Sequence, residues 1–173
     1  LVFIAADTTG EPRFQVSDNT ATAQVFGVDV DDWRAGVAQT IDARAFGYPL
    51  RAVADLPAGR YRVQALVNRY QTFRRSDGHT VKLPPDRGEG QQYARKPGNL
   101  FSQPATVTIS RSGVTSLVLD QEVPPVPDFA SQETKYVKYL KIRSERLSTF
   151  WGTDTYLGAW VLLGLPSRAA VRS

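Results

Sequence analysis

The stretch "DLPAGRYRVQAL", residues 55–66, decides how the chain is to be read. Pro57 fixes its own φ and Gly59 tolerates a left-handed turn, so the chain rounds a corner there. Beyond the corner Tyr61, Val63 and Ala65 alternate with Arg60, Arg62 and Gln64. A period of two places these sets on opposite faces of a strand.

Working outward, β-branched and aromatic runs bounded by Gly, Pro, Asn and Asp predict strands over 1–6, 22–30, 59–73, 104–110, 114–120, 135–143 and 156–163, with weaker ones near 12–16, 39–42 and 50–54. "TVTISRSGVTSLVLD" reads as a hairpin turning through Arg111-Ser112-Gly113. No segment sustains an apolar period near 3.6, and the best helical candidate, "DDWRAG", is one turn long. The expected fold is all-β: a two-sheet antiparallel sandwich, which this cadence of turns favours over a closed barrel. The Leu-x-x-Gly-x-Tyr corner resembles the tyrosine corner of immunoglobulin-like and fibronectin-type sandwiches, which makes Tyr61 a structural residue whose hydroxyl bonds back to the corner backbone. One domain is expected over 1–163, interrupted by a long irregular loop (74–103) and a Pro-rich crossover (122–134), with a basic tail at 164–173.

A chain of 173 residues with 42% apolar and 22% charged residues belongs to the globular class and not to intrinsic disorder. The apolar run "YLGAWVLLGL" stops at Pro166, well short of the roughly 20 residues that span a bilayer. Having no cysteine removes disulfides, thiolate catalysis and most structural zinc sites. With Leu1 first and no methionine anywhere, the chain reads as the mature product of an exported precursor without an N-terminal lipid anchor; a trimmed chain is the plainer alternative. The net charge of +4 admits an acidic partner. The basic residues are nevertheless spread along strands, no nucleic-acid motif is present, and solvated strand faces account for them.

For chemistry the sequence offers little. It has no G-x-S-x-G elbow, S-x-x-K, H-E-x-x-H or P-loop, and nothing singles out a glycosidase-like carboxylate pair. Its single histidine, His79, could join Asp77 and a serine in a triad, or Asp77, Asp86 and Glu89 in a metal site, but neither spacing matches a familiar pattern. No cofactor is expected. The long loop interleaves Tyr70, Phe73, Tyr93 and Phe101 with Arg74, Arg75, Arg87, Arg95 and Lys96. Such rings and guanidinium groups can anchor an interface or stack on sugars, or the rings can simply cap the core. Arg74, Arg75, Tyr93, Arg95 and Phe101, with Arg168 and Arg172 of the tail, are the candidate interaction residues. In "STFWGTDTYLGAWVLL" (148–163), Trp151 and Trp160 are read as core residues of a strand region buried on both sides; if exposed, that face would be a docking patch.

The segments "FGYPLRAVADLPAGRYRVQALVNRYQTFRRSDGHTVKLPPDRGEGQQYARKPGNLFSQP" and "TKYVKYLKIRSERLSTFWGTDTYLGAWVLL" resemble the N-terminal β-sandwich domain that precedes the catalytic domain in a family of exported bacterial esterase-type proteins of α/β-hydrolase class. The similarity covers 22–163, with "DGHTVKL", "GNLFS" and "FWG…YLGAWVLL" its most specific pieces. The family's catalytic residues have no counterpart here, since the last strand leads into "GLPSRAAVRS" without a nucleophile elbow. The domain type is also similar to the membrane-extrinsic β-domains with which some bacterial photosynthetic complexes hold a reaction centre inside its light-harvesting ring. The resemblance implies a non-catalytic, periplasmic or otherwise extracytoplasmic structural subunit. Its partners would be protein subunits of a larger membrane-bound complex, with contact to the membrane surface, no nucleic acid and no transmembrane span. The alternative is a carbohydrate- or substrate-binding accessory module of an exported esterase.

Overall fold

The computed structural model describes residues 1–86, 92–110 and 113–164. In chain order its strands are β1 (Val2–Ala5), β2 (Gln24–Gly27), β3 (Phe46–Tyr48), β4 (Gly59–Val67), β5 (Gln71–Arg74), β6 (Thr80–Leu83), β7 (Leu100–Phe101), β8 (Ala105–Ile109), β9 (Gln121–Glu122), β10 (Val137–Arg143) and β11 (Tyr156–Leu162), with one α-helix, α1 (Glu145–Trp151). The architecture is all-β and sandwich-like, built of antiparallel sheets. The chain divides into two compact units, one formed by Leu1–Asn68 with Gln92–Pro124 and the other by Arg69–Gln91 with Pro125–Ser173, where the sequence suggests a single domain over 1–163.

The first unit is organised by β4, the strand that follows the Pro57–Gly59 corner. One edge of β4 takes β1, from Val2↔Ala65 to Ala5↔Arg62. The other takes β8 along its first half and β7 beyond, completing a seven-stranded sheet ordered β3-β2-β1-β4-β7-β9 with β8 also on β4. The register puts Ile4, Phe26 and Val63 on one face, where they join Ala45 and Leu56 in the apolar core. Period-two alternation then sends Phe3 and Gln64 to the opposite face. Gly47 is fixed by close approach, because a Cβ there would collide with the Leu50 carbonyl and the Phe26 ring.

The corner behaves as the sequence predicts. The Tyr61 hydroxyl donates to the Pro57 carbonyl at 2.9 Å, and Gly59 leaves room for the ring, since a Cβ there would sit 3.2 Å from it. Tyr61→Phe keeps the ring and removes one hydrogen bond; a loss of about 0.5–1.5 kcal/mol is expected in a urea titration.

Several expectations are corrected. Residues 114–120 form no strand, and Val114 is 97% exposed; β8 pairs with β4 instead, and Arg111 and Ser112 of the anticipated turn lie outside the described residues. The run 59–73 breaks at 68–70 into β4 and β5. The weak candidates at 12–16 and 50–54 overlap 3-10 turns at Pro12–Phe14 and Val53–Asp55, 39–42 is irregular, and β3 lies outside every expected strand. The segment 74–103 is not one loop: it carries β6, a 3-10 turn at Tyr93–Arg95 and β7.

In the second unit β5 and β6 form a hairpin with Arg74↔Thr80 as its last pair. Its turn, "RSDGH", uses Gly78 at φ +87°. Helix α1 is capped by Ser144, whose hydroxyl accepts from Leu147 N, and ended by Gly152 at φ +66°. β10 and β11 pair over seven residues, Val137↔Leu162 to Arg143↔Tyr156. No helix among the described residues is long and apolar enough to cross a membrane.

Candidate functional site

The sheet face opposite the apolar core in the first unit carries a buried polar network. Gln64 is fully buried. Its Oε1 accepts from the Arg13 backbone N–H (3.2 Å), and its Nε2 donates to Glu11 Oε2 (2.8 Å) and the Ser102 carbonyl (3.0 Å). Arg13, itself buried, donates through Nε to Glu11 (2.8 Å) and through Nη1 to the Ala94 carbonyl (3.1 Å). Its guanidinium also lies 3.7 Å from the Phe101 ring centroid and 4.5 Å from that of Phe14. Burying a charge is tolerable only with such pairing.

Burial pushes the Glu11 carboxyl up, but hydrogen bonds from Gln64 and Arg13 and the charges of Arg13 and Arg62 outweigh it, and the net shift is downward from 4.5. A depressed carboxyl stabilises the fold above its unfolded value and loses that contribution as pH falls through the folded value. Stability of the wild type is therefore expected to fall as pH drops below 4.5. Urea titrations of wild type and Glu11→Gln across that window should differ by this component, the variant lacking it.

This network recruits three of the candidate interaction residues. Phe101 lies under Arg13; Tyr93 stacks on Phe3 with ring centroids 5.7 Å apart, and burial raises its phenol above the usual tyrosine value. Arg95 is exposed and lies 4.5 Å from the Phe14 centroid. Arg13, Phe14, Tyr93 and Arg95 border a cleft of about 160 Å³, small beside the roughly 300–1,000 Å³ of ligand pockets. The network gave no signal in the sequence because the contacts that bring Gln64 to Arg13 and Glu11 join residues more than fifty positions apart.

Arg74 and Arg75 belong to the second unit. Arg74 is exposed on β5. Arg75 pairs with Asp77 and lies 4.8 Å from the Phe150 centroid, beside Trp151. Phe73 meets Trp151 edge-on at 5.8 Å; Trp151 is the half-buried last residue of α1 and not part of a doubly buried strand. Asp77 is engaged in the hairpin turn, accepting from the His79 N–H at 3.2 Å and lying 3.2 Å from His79 Nδ1. Among the described residues no three His, Cys, Asp or Glu side chains are grouped to hold a metal. Glu89, Arg87, Arg168 and Arg172 lie outside the described residues.

The largest departure is β11. It is exposed along its whole length, not buried on both sides, and Trp160 is 44% exposed. The register places Leu140, Ile142, Leu157, Ala159 and Val161 on one face of the ribbon, with Lys138 opposite Val161 at one end of it. On the other, Tyr139, Trp160 and Phe129 form an aromatic trio with centroids 4.8–6.2 Å apart. Gly158 is required beneath Tyr139, whose hydroxyl a Cβ would strike. Lys141 Nζ lies 4.7 Å from the Tyr156 centroid, and Arg143 pairs with Asp154 and Glu145. Half of the exposed large apolar side chains among the described residues fall between Tyr136 and Leu163.

A second hollow, of about 520 Å³, lies at the β3 edge between Phe46, Tyr48, Pro49 and Arg51. Residues 46 and 48 share a side of the strand, and both rings are exposed, Phe46 at 82%. The sequence reading passed over them because three residues are too short a run to display alternation. Comparison with family models, with curated proteins and with solved structures gives no match.

Proposed function

We propose that the chain is a non-catalytic, exported interaction subunit, peripheral to a membrane, that docks on a larger membrane-bound assembly through the faces of the β10–β11 ribbon. The observation that carries this reading is the exposed apolar surface of the ribbon, with Leu140 at 48% and Leu157 at 56%. A two-stranded ribbon is marginally stable alone, and a contiguous apolar face on a folded protein is most often an interaction site. Lys135, Lys141 and Arg146 add positive charge near it, beyond Lys138 and Arg143, which are ion-paired with Glu133, Glu145 and Asp154, and suit an assembly at an anionic membrane surface. The resemblance noted above supports the finer form of the proposal, a subunit of a photosynthetic reaction centre–light-harvesting complex. Leu140→Asp with Ile142→Asp is expected to abolish recovery with native membrane complexes while leaving the far-UV circular dichroism unchanged. Recovery at wild-type stoichiometry would overturn the docking role of this face.

A second reading, a carbohydrate-binding accessory module, draws support from the Phe46–Tyr48 hollow, whose volume lies within the range of ligand sites. Two exposed rings about 7 Å apart along a strand can stack on sugar units. On that reading calorimetry with soluble oligosaccharides gives saturable heats that Phe46→Ala with Tyr48→Ala removes.

A further inference from the structure

The two edges of the β10–β11 ribbon are unlike. Leu163 N–H bonds to the Tyr136 carbonyl (2.7 Å) and Ser144 N–H to the Thr155 carbonyl (2.9 Å) at the ends of the ladder. Antiparallel alternation then turns the main-chain groups of Val137, Tyr139, Lys141 and Arg143 away from β11, and those of Tyr156, Gly158, Trp160 and Leu162 away from β10. The preceding segment covers the β10 edge: the Val137 carbonyl accepts from Thr134 N–H (2.9 Å), and the Glu133 carboxylate accepts from Tyr139 N–H (3.0 Å). Lys141 and Arg143 add charge to the same edge. Proteins blunt exposed edges with such devices. The β11 edge has none of them: no charged residue or proline occurs from Tyr156 to Gly164, and among the described residues no strand pairs with it.

We propose that this edge is a self-association surface, on which β11 of a second copy of the chain pairs antiparallel about a two-fold axis through Ala159. An isologous contact requires a self-complementary edge, and the full-overlap register provides one. Tyr156 then faces the second copy's Leu162, Gly158 faces Trp160, and Ala159 faces itself. Leu157 and Val161 continue one apolar face across the axis. Lys138, Lys141 and Arg143 stay on the outer strands, so no like charges stand opposite each other. The pairing uses the edge of the ribbon and stands or falls independently of the docking role proposed for its faces.

Because the chain has no cysteine, Ala159→Cys introduces a single thiol on the proposed axis. Residue 159 bonds inward to β10, so 159 and its symmetry mate form a non-hydrogen-bonded pair with Cα atoms about 4.5 Å apart, within the roughly 4.4–6.8 Å a disulfide spans. Wild type is expected to sediment as a dimer. With oxidised glutathione, which takes up the two electrons and two protons released by the thiols, Ala159→Cys should form a covalent dimer at least about tenfold faster than the exposed control Val114→Cys. Leu162→Pro removes an outward N–H without touching the β10 ladder, and should raise the dimer dissociation constant at least about tenfold. A monomeric wild type would overturn the proposal, as would a dimer in which Cys at 159 and at 114 crosslink at equal rates.

Discussion

Gln64→Leu is expected to lower stability by about 3 kcal/mol, because the new side chain fills the same space but leaves the Arg13 N–H and the Ser102 carbonyl without partners, at about 1–3 kcal/mol for each buried orphan. Gln64 is fully buried, so water does not replace the lost bonds. Glu11 keeps its pairing with Arg13, and this limits the loss on the more exposed side of the network. The measurement is the urea midpoint followed by far-UV circular dichroism. A change below about 1 kcal/mol would mean that water or a local shift satisfies the groups that Gln64 pairs with.

Phe26→Ala should have a comparable or larger effect, about 3–5 kcal/mol, from lost transfer free energy and the cavity left behind. The ring is fully buried at the centre of the apolar cluster and presses on Gly47. Neither neighbour can close the gap: Gly47 has no side chain to move, and Val63 is fixed in the central strand. The same urea titration applies, and a loss under about 1.5 kcal/mol would show that the sheet collapses onto the space.

Much of the fold is legible in the residues. Alternation locates β1, β2, β8, β10 and β11 to within a few positions and the start of β4, though it runs β4 on into β5, and the Leu-x-x-Gly-x-Tyr pattern yields the Tyr61–Pro57 bond. The failures have identifiable causes. "VTSLVLD" has the composition of a strand, but the free edge of β4 is already occupied by β8 and β7, and strand propensity without an edge to pair with does not make a strand. Helix α1 hides because it is two turns long and contains Ser, Thr, Phe and Trp, all middling helix formers. Its Ser144 cap and the Gly152 beyond its end were the readable signals. The β5–β6 turn was likewise announced by Asp77-Gly78, a strong hairpin dipeptide.

The candidate site was less legible, for a different reason. Aromatic and basic composition marked the segment 74–103, yet composition cannot distinguish a ring that caps a sheet from one that meets a partner. The structure turns Tyr93 onto Phe3 and Phe101 under Arg13, and places Arg75 against Phe150. The converse error occurred at β11, where a run as apolar as "YLGAWVLL" reads as core although its strand is exposed. Burial depends on what packs against a face, and one strand's sequence does not contain that information.

A docking subunit travels with what it docks on, so the most direct measurement of the proposed role is purification of the chain from its source cells, membranes included, at low salt, with mass spectrometry of everything that co-migrates. Integral membrane subunits are expected at a fixed stoichiometry, lost when Leu140 and Ile142 are both replaced by Asp. Recovery free of membrane subunits, as a monomer or dimer of this chain alone, would contradict that role.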